Sequence, residues 1–317
     1  MRDHTRHAQR RVARRLRRIA TVLAGVEMTD PVAGVVVVHF GDPEPTLRCL
    51  ASVAADGSQI ERRVVVVDNS GNMDPGSLGS DVRLLTCPDN PGFGAGANLG
   101  LDSADHDRRC SLYLVLNNDA MLASGFMDAA AGALEVGVGA AAGPIHKPED
   151  PSRLWYAGGR INFLTGTVWQ RRSLAAASRR REVGFIPATA LAIASPAWRE
   201  VGGFDTRFFL YNEDVDLCLR LRRAGWRLLF EPRMVCSHAL GGATGSADRS
   251  PLYLENITRT RLLPFRSRLY RVYLGGIHTL YNSLRVVGMS ARRFNDCGPC
   301  VTAVVRGHLA ALRSLFS

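Results

Sequence analysis

The chain predicts an α/β protein with a mostly parallel sheet flanked by helices and a C-terminal helical extension. Three observations carry that expectation. Near-continuous β-branched runs, GVVVVHF at 34–40 and RRVVVVDNS at 62–70, have the composition of strands covered on both faces. Segments with apolar residues at helical spacing lie between such runs, so strand and helix alternate. Past residue 150 the alternation stops, and from about residue 265 only amphipathic helical patterns remain.

The elements follow in order. The first 18 residues hold eight arginines against one aspartate, which makes 1–30 a basic arm within a chain of net charge +11. Such an arm is either a solvated extension or a phosphate-seeking segment. An anionic membrane surface is then a candidate partner, whereas no nucleic-acid-binding motif supports nucleic acid. VVVVHF forms the first strand, PTLRCLASVAAD (45–56) a helix, and RRVVVVDNS the second strand. A VRLLT strand (82–86), a helix near 93–104, the strand SLYLVL (111–116) and a helix near 124–136 complete the alternating half. Ligands of such sheets collect at the carboxyl ends of the strands. Here those ends read HFGDPEP, DNSGN and NNDA, each polar and each with a carboxylate. RLWYAGGRINFLTGTVWQRR then reads as a hairpin and EVGFIPATALAIAS as an extended run.

Composition excludes some classes. No apolar run reaches the roughly 20 residues that cross a bilayer, and the N-terminal arginines followed only by IATVLAGV do not form a secretory signal. Seven scattered cysteines suit a reducing cytoplasm better than a disulfide framework. Cys297 and Cys300 in CGPC could make a redox pair or half a zinc site, yet no second pair or nearby histidine completes one.

NPGFGAGANLG (90–100) satisfies G-x-G-x-x-A through Gly92, Gly94 and Ala97, which raises an NAD(P)-dependent oxidoreductase as one reading. A dinucleotide fingerprint needs its glycines directly at a strand end, and CPDNP intervenes here. The other reading is a close backbone turn that opens a helix beside a nucleotide's phosphates or sugar.

In GFDTRFFLYNEDVDLCLRLRRAGWRLLFEP (203–232), Asn212 is a candidate N-cap and Glu213, Asp214 and Val215 fill a first helical turn. Leu217, Leu221 and Ala224 continue one apolar face until Gly225. Asp214 shares that inward face, Asp216 points to Arg220 at i+4 as a surface pair, and Glu213 lies between the two directions. Acids at a helix start complement the dipole, which accounts for three acids but not for one turned inward.

In this order and at these separations, VVVVDNS, NPGFGAGANLGL, YLVLNNDA and VGGFDTRFFLYNEDVDLCLRLRRAGWRLLFEP resemble the family 2 glycosyltransferases of GT-A fold. The similarity spans roughly 32–265 and is strongest to a bacterial rhamnosyltransferase and galactofuranosyltransferase-like branch. It implies a catalytic domain at 31–264, with a nucleotide-binding half (31–145), an acceptor half (146–264) and a helical extension at 265–317. It also implies an inverting transfer from a nucleotide-diphosphate sugar, with a dTDP-rhamnose-type donor ahead of UDP-sugars.

The growing charge of the diphosphate calls for a divalent cation on oxygen-rich ligands. Asn117, Asn118 and Asp119 stand where such families carry a DxD motif, and the family pattern adds His238 as second ligand. A mixed oxygen and imidazole shell suits Mn²⁺ or Mg²⁺. Asp214 is the implied base toward the acceptor hydroxyl, with Glu213 as the alternative. Asp68 is implied to take the imide of a uracil or thymine base, or else to build a turn. His39 and Asn98 complete the donor-binding set, and Arg259 and Arg261 are implied phosphate contacts. A glycan, lipid-linked or small-molecule acceptor follows, met in the cytoplasm or at the inner face of the cell membrane. The amphipathic C-terminal helices either pack on the catalytic domain or rest in a lipid interface. A non-catalytic anionic-surface binding protein is the remaining alternative.

Overall fold

The Val-rich runs are strands buried along their length. In a computed structural model describing residues 31–239, 250–265, 267–290 and 298–313, β1 (Val32–His39) is buried at all eight positions. α1 (Pro43–Ala54) begins where Asp42 accepts from the Glu44 N–H at 3.1 Å, with proline in the first turn. β2 (Glu61–Asp68), β3 (Val82–Thr86), α2 (Phe93–Ala104) and β4 (Leu112–Asn117) complete the alternating half as expected. β1 pairs in parallel with both β2 and β4, so His39 lies beside Asp68, and Val38 beside Asn117. α2 presses on β1 and β2 through Gly100, where a Cβ would come within 2.2 Å of a Val36 methyl.

After β4 come β5 (Ala120–Leu122), α3 (Phe126–Ala133), β6 (Val138–Ala142), β7 (Ile145–Lys147) and β8 (Asp150–Tyr156). The helix expected near 124–136 is thus shorter. β9 (Gly159–Asn162) and β10 (Thr167–Gln170) form the predicted antiparallel hairpin. Beyond it lie α4 (Leu174–Ala177), β11 (Arg181–Glu182), β12 (Ala190–Ala194), α5 (Ser195–Val201), α6 (Glu213–Arg223), β13 (Arg227–Phe230) and β14 (Cys236–His238).

The main sheet runs β11-β13-β6-β12-β4-β1-β2-β3, and β12 is antiparallel to both its neighbours. A small sheet, β5-β14-β7-β8, carries the chain away from the end of β4. That second sheet matters for chemistry, because its β5–β14 ladder pairs His238 with Ala120, next to Asp119.

α7 (Pro251–Thr260) closes the segment expected as the catalytic domain, and the expected extension at 265–317 holds α8 (Arg268–Ser290) and α9 (Gly298–Arg313). α9 lies close on α7, since a Cβ at Gly307 would sit 2.4 Å from the Glu255 carbonyl oxygen. α8 buries Leu274 and His278 but leaves Leu269, Val272 and Leu280 exposed. No helix among the described residues is long and apolar enough to cross a membrane. The basic arm and Cys297 lie outside the described residues.

Candidate active site

At the carboxyl ends of β1 and β2 the polar residues hold one another. His39 is fully buried, with Nδ1 2.7 Å from the Thr46 hydroxyl and Nε2 2.9 Å from Asn72 Oδ1. Asn72 donates its amide to the Gly41 carbonyl, so its Oδ1 is an acceptor and His39 Nε2 carries the proton. The Thr46 hydroxyl then donates to Nδ1 and accepts from the Asn118 amide at 3.3 Å. Asp68 accepts three backbone N–H groups, from Ser70 and Gly71 on Oδ1 and from Met73 on Oδ2. It therefore builds the loop after β2 and keeps about one of its roughly four acceptor positions for a ligand.

At the end of β4 the three residues of the Asn-Asn-Asp run diverge. Asn118 turns back to the Phe40 carbonyl and Thr46, whereas Asn117 and Asp119 both meet His238. His238 Nε2 lies 2.9 Å from Asp119 Oδ1 and 3.2 Å from the Asn117 amide nitrogen. Protonated at Nε2, the ring donates to Asp119 Oδ1, and turning the Asn117 amide end for end presents its oxygen to the same N–H. Unprotonated, Nε2 and Asp119 Oδ1 form an imidazole and carboxylate pair of the kind that fits a divalent metal completed by substrate oxygens and water; no group of three or more such side chains occurs among the described residues. His238 Nδ1 is buried and has no hydrogen-bond partner among the described residues, so no acceptor behind the ring fixes its orientation. Trp155 packs edge-on against the imidazole, with ring centroids 5.8 Å apart.

α6 delivers the acids from the other side. Tyr211 and Asn212 both have left-handed backbone, φ 68° and 67°, a conformation uncommon outside glycine. Asn212 does not cap the helix with its side chain, contrary to expectation. Its amide donates instead to the Thr260 hydroxyl at 2.8 Å, whose single proton lies between the Asn256 carbonyl at 2.8 Å and the Tyr211 carbonyl at 2.9 Å. Asp214 is half-buried and accepts from the Val215 N–H at 2.7 Å. Burial raises its pKa, opposed by backbone N–H groups including that of Ala188. Thr189, the residue after Ala188, accepts from the Asn117 N–H at 2.9 Å, so the segment whose N–H acts on Asp214 pairs with the end of β4.

Glu213 is more enclosed, 6% exposed, with Oε2 lacking a partner among the described residues. Burial first and the Asp214 charge second push its pKa up. Asp216 corrects the expected surface pair: its side chain is 7% exposed and binds Arg220 Nε at 2.5 Å, while Arg220 Nη1 donates to the Val201 carbonyl. The i+4 spacing identified the partner, but periodicity could not foresee that α5 covers both.

Other expected donor contacts lie elsewhere. Asn98 closes both ends of its amide on the backbone of Phe204, each at 2.9 Å, and so braces the loop leading to α6. It borders a cavity of about 550 Å³ lined also by Asp105, Tyr113, Trp198 and Arg199. Arg259 is exposed on α7, and Arg261 lies 2.9 Å from His278 of α8. Gly92, with φ 93°, lies against the Phe209 carbonyl oxygen, where a Cβ would approach to 2.3 Å, and the Phe93 N–H donates to that same oxygen. The glycine-rich turn thus packs against the loop before α6, which takes one of the free donors at the helix start that a dinucleotide would need. Thr46, Asn72, Trp155 and Thr260 were not singled out from sequence. Each works through a partner distant in sequence or on another element, and no local pattern marks it.

Residues 31–259 match the family described as Glycosyltransferase like family 2. The N-acetylglucosaminyl-diphospho-decaprenol L-rhamnosyltransferase of Mycobacterium tuberculosis (strain CDC 1551 / Oshkosh) is 30% identical over 256 residues, covering 71% of this chain and 81% of that one. Among solved structures, GalNAc-T7 with UDP, GalNAc and Mn²⁺ superposes with TM-score 0.54 at 14% identity, over 89% of this chain and 55% of that one. S. aureus TarS 1–349 in complex with UDP gives TM-score 0.51 at 13% identity, over 90% and 88%. Both share the GT-A-like architecture.

Proposed function

From the premise that the chain belongs to glycosyltransferase-like family 2, and is a glycosyltransferase, we propose that it is an inverting enzyme using a nucleotide-diphosphate sugar. A dTDP-rhamnose-like donor comes first and a UDP-sugar next; the acceptor is a hydroxyl of a lipid-linked or envelope glycan. The rhamnosyltransferase relative supports the sugar and the lipid-linked acceptor class. An acceptor of this class would be met from the cytoplasm, at the inner face of the cell membrane.

One observation carries the reading. Asp119 and His238 meet at the end of β4, and Asp214 is tied to that same strand end through Ala188 and Thr189. In the transfer, Asp214 takes the proton of the acceptor hydroxyl as its oxygen attacks the anomeric carbon, and the bond from that carbon to the diphosphate breaks on the opposite face. A raised pKa makes Asp214 a stronger base than an ordinary aspartate. Asp119 and His238 would hold Mn²⁺ or Mg²⁺, which when bound supplies positive charge beside the leaving diphosphate. Asp68 offers its remaining acceptor position to the imide of the base, in the half formed by residues 31–145. Glu213, held neutral by burial, leaves Asp214 as the ionised member of the pair.

The test is donor hydrolysis and transfer by the purified chain with dTDP-rhamnose, UDP-sugars and NADH, each with and without Mn²⁺. Metal-dependent consumption of a sugar nucleotide, lost in Asp214→Asn with nucleotide binding retained, is the expected result. NADH binding together with metal-indifferent nucleotide binding would overturn it.

A further inference from the structure

Outside the site, the structure leaves an apolar face on α8. Leu269, Val272, Tyr273 and Leu280 follow the i, i+3, i+4, i+11 spacing of one helical face, and Leu269 is 85% and Leu280 65% exposed. The opposite side, at Leu274 and His278, is buried. The tip of the β9–β10 hairpin extends this face with Phe163 and with Leu164, 68% exposed. Tip and helix are joined, because the Tyr270 hydroxyl donates to the Phe163 carbonyl and the Tyr273 hydroxyl to the Leu164 carbonyl. Phe265 and Leu274 pack under Gly166 beneath the tip. An apolar surface of this extent, built from two elements locked together, is a binding feature rather than scattered exposure.

Its surroundings decide the occupant. Arg268 and Arg160 are exposed beside the face, and Arg160 and Arg171 lie over Trp169 at 4.9 and 5.7 Å. The N-terminal arm, with eight arginines in 18 residues, is like-charged and does not complement this face. A second copy docked by a twofold axis would set the same arginines against themselves. Leu and Phe with Tyr and Trp at their margin, flanked by Arg160, Arg171 and Arg268, match the acyl boundary, interface and phosphate layer of an anionic bilayer.

We propose that α8 and the β9–β10 tip form a docking surface for an anionic lipid bilayer, with Phe163, Leu164, Leu269 and Val272 entering the acyl boundary. The surface stands on its own chemistry, but its purpose rests on the glycosyl-transfer reading. α7, which leads into α8, carries Thr260, whose hydroxyl accepts from the Asn212 amide two residues before Asp214.

The experiment is co-sedimentation of the full chain with vesicles of phosphatidylcholine alone or with 30% phosphatidylglycerol, about a third of the lipid as in a strongly anionic membrane. Leu164→Glu and Leu269→Glu are compared with the unaltered chain, together with light scattering for oligomeric state. Binding to the anionic vesicles only, weakened by salt and reduced at least about tenfold by each substitution, is the expected result. Equal binding by the variants, absence of binding to anionic vesicles, or a dimer that the substitutions dissolve would overturn the proposal. Sugar-nucleotide hydrolysis without acceptor, measured on the same samples, reports on the chemical site alone. Hydrolysis intact with vesicle binding lost locates the defect in the surface; binding intact with no hydrolysis sinks the transfer reading and leaves the surface standing.

Discussion

Asp214 and Glu213 are adjacent in sequence and unlike in surroundings, so their substitutions should separate. In the proposed mechanism Asp214→Asn removes the acceptor for the hydroxyl proton, and it should lower transfer by about 10²–10⁴-fold with nucleotide binding unchanged, measured by steady-state rates and calorimetry. Because burial raises the Asp214 pKa, the rising limb of the wild-type pH–rate profile should lie above the ordinary aspartate value near 3.9. Glu213 should show itself in stability. Its raised pKa means that folding takes up a proton, so its contribution is complete below the ordinary glutamate value near 4.3 and is lost as pH rises through the raised one. Glu213→Gln should therefore match the wild type at about pH 4 and exceed it by about 1–3 kcal/mol at about pH 9, read from urea denaturation. The chain itself shows that acids open this helix, since that follows from periodicity. It does not reveal which acid is sealed in, because the neighbouring residues come from distant segments: Gly94, itself against Phe204, beside Glu213, and Ala188 near Asp214.

Among the elements, α2 sets two tendencies against each other at Gly100. Alanine there gains about 1 kcal/mol of helix propensity. Its methyl, however, would lie 2.2 Å from Val36 and 2.9 Å from Val67, and overpacking of that kind costs about 1–3 kcal/mol. Gly100→Ala should therefore lose stability, and pairing it with Val36→Ala should recover part of the loss in a double-mutant cycle. Strands and helices of the alternating half were legible because buried parallel strands leave unbroken apolar runs, and those runs need no partner to be recognised. The small sheet was not legible. β5 and β14 have three residues each, too few for a period, yet their pairing is what brings His238 to Asp119. Resemblance to a family, rather than any pattern in the strand itself, pointed to that histidine.

For the molecule as a whole, donor binding should draw on the end of β4 and on the small sheet at once. A nucleoside diphosphate at about 100 times its dissociation constant adds about 2.7 kcal/mol of stability, seen as a rise in melting temperature. Mn²⁺ should increase the rise, and His238→Ala should remove the metal's increment while the metal-free nucleotide effect remains. An unchanged increment in that variant would exclude His238 as a ligand.

The same scale gives meaning to the bend before α6. Two neighbouring non-glycine residues rest in a backbone state that costs energy, and one hydroxyl from α7 lies against both, accepting from Asn212 and sharing its proton between the Tyr211 and Asn256 carbonyls. A chain cut before residue 260 would retain every strand of the main sheet and lose this hydroxyl, whereas a cut after it would keep the contact. α7, although it belongs to neither sheet, is thus part of what sets the entry to α6.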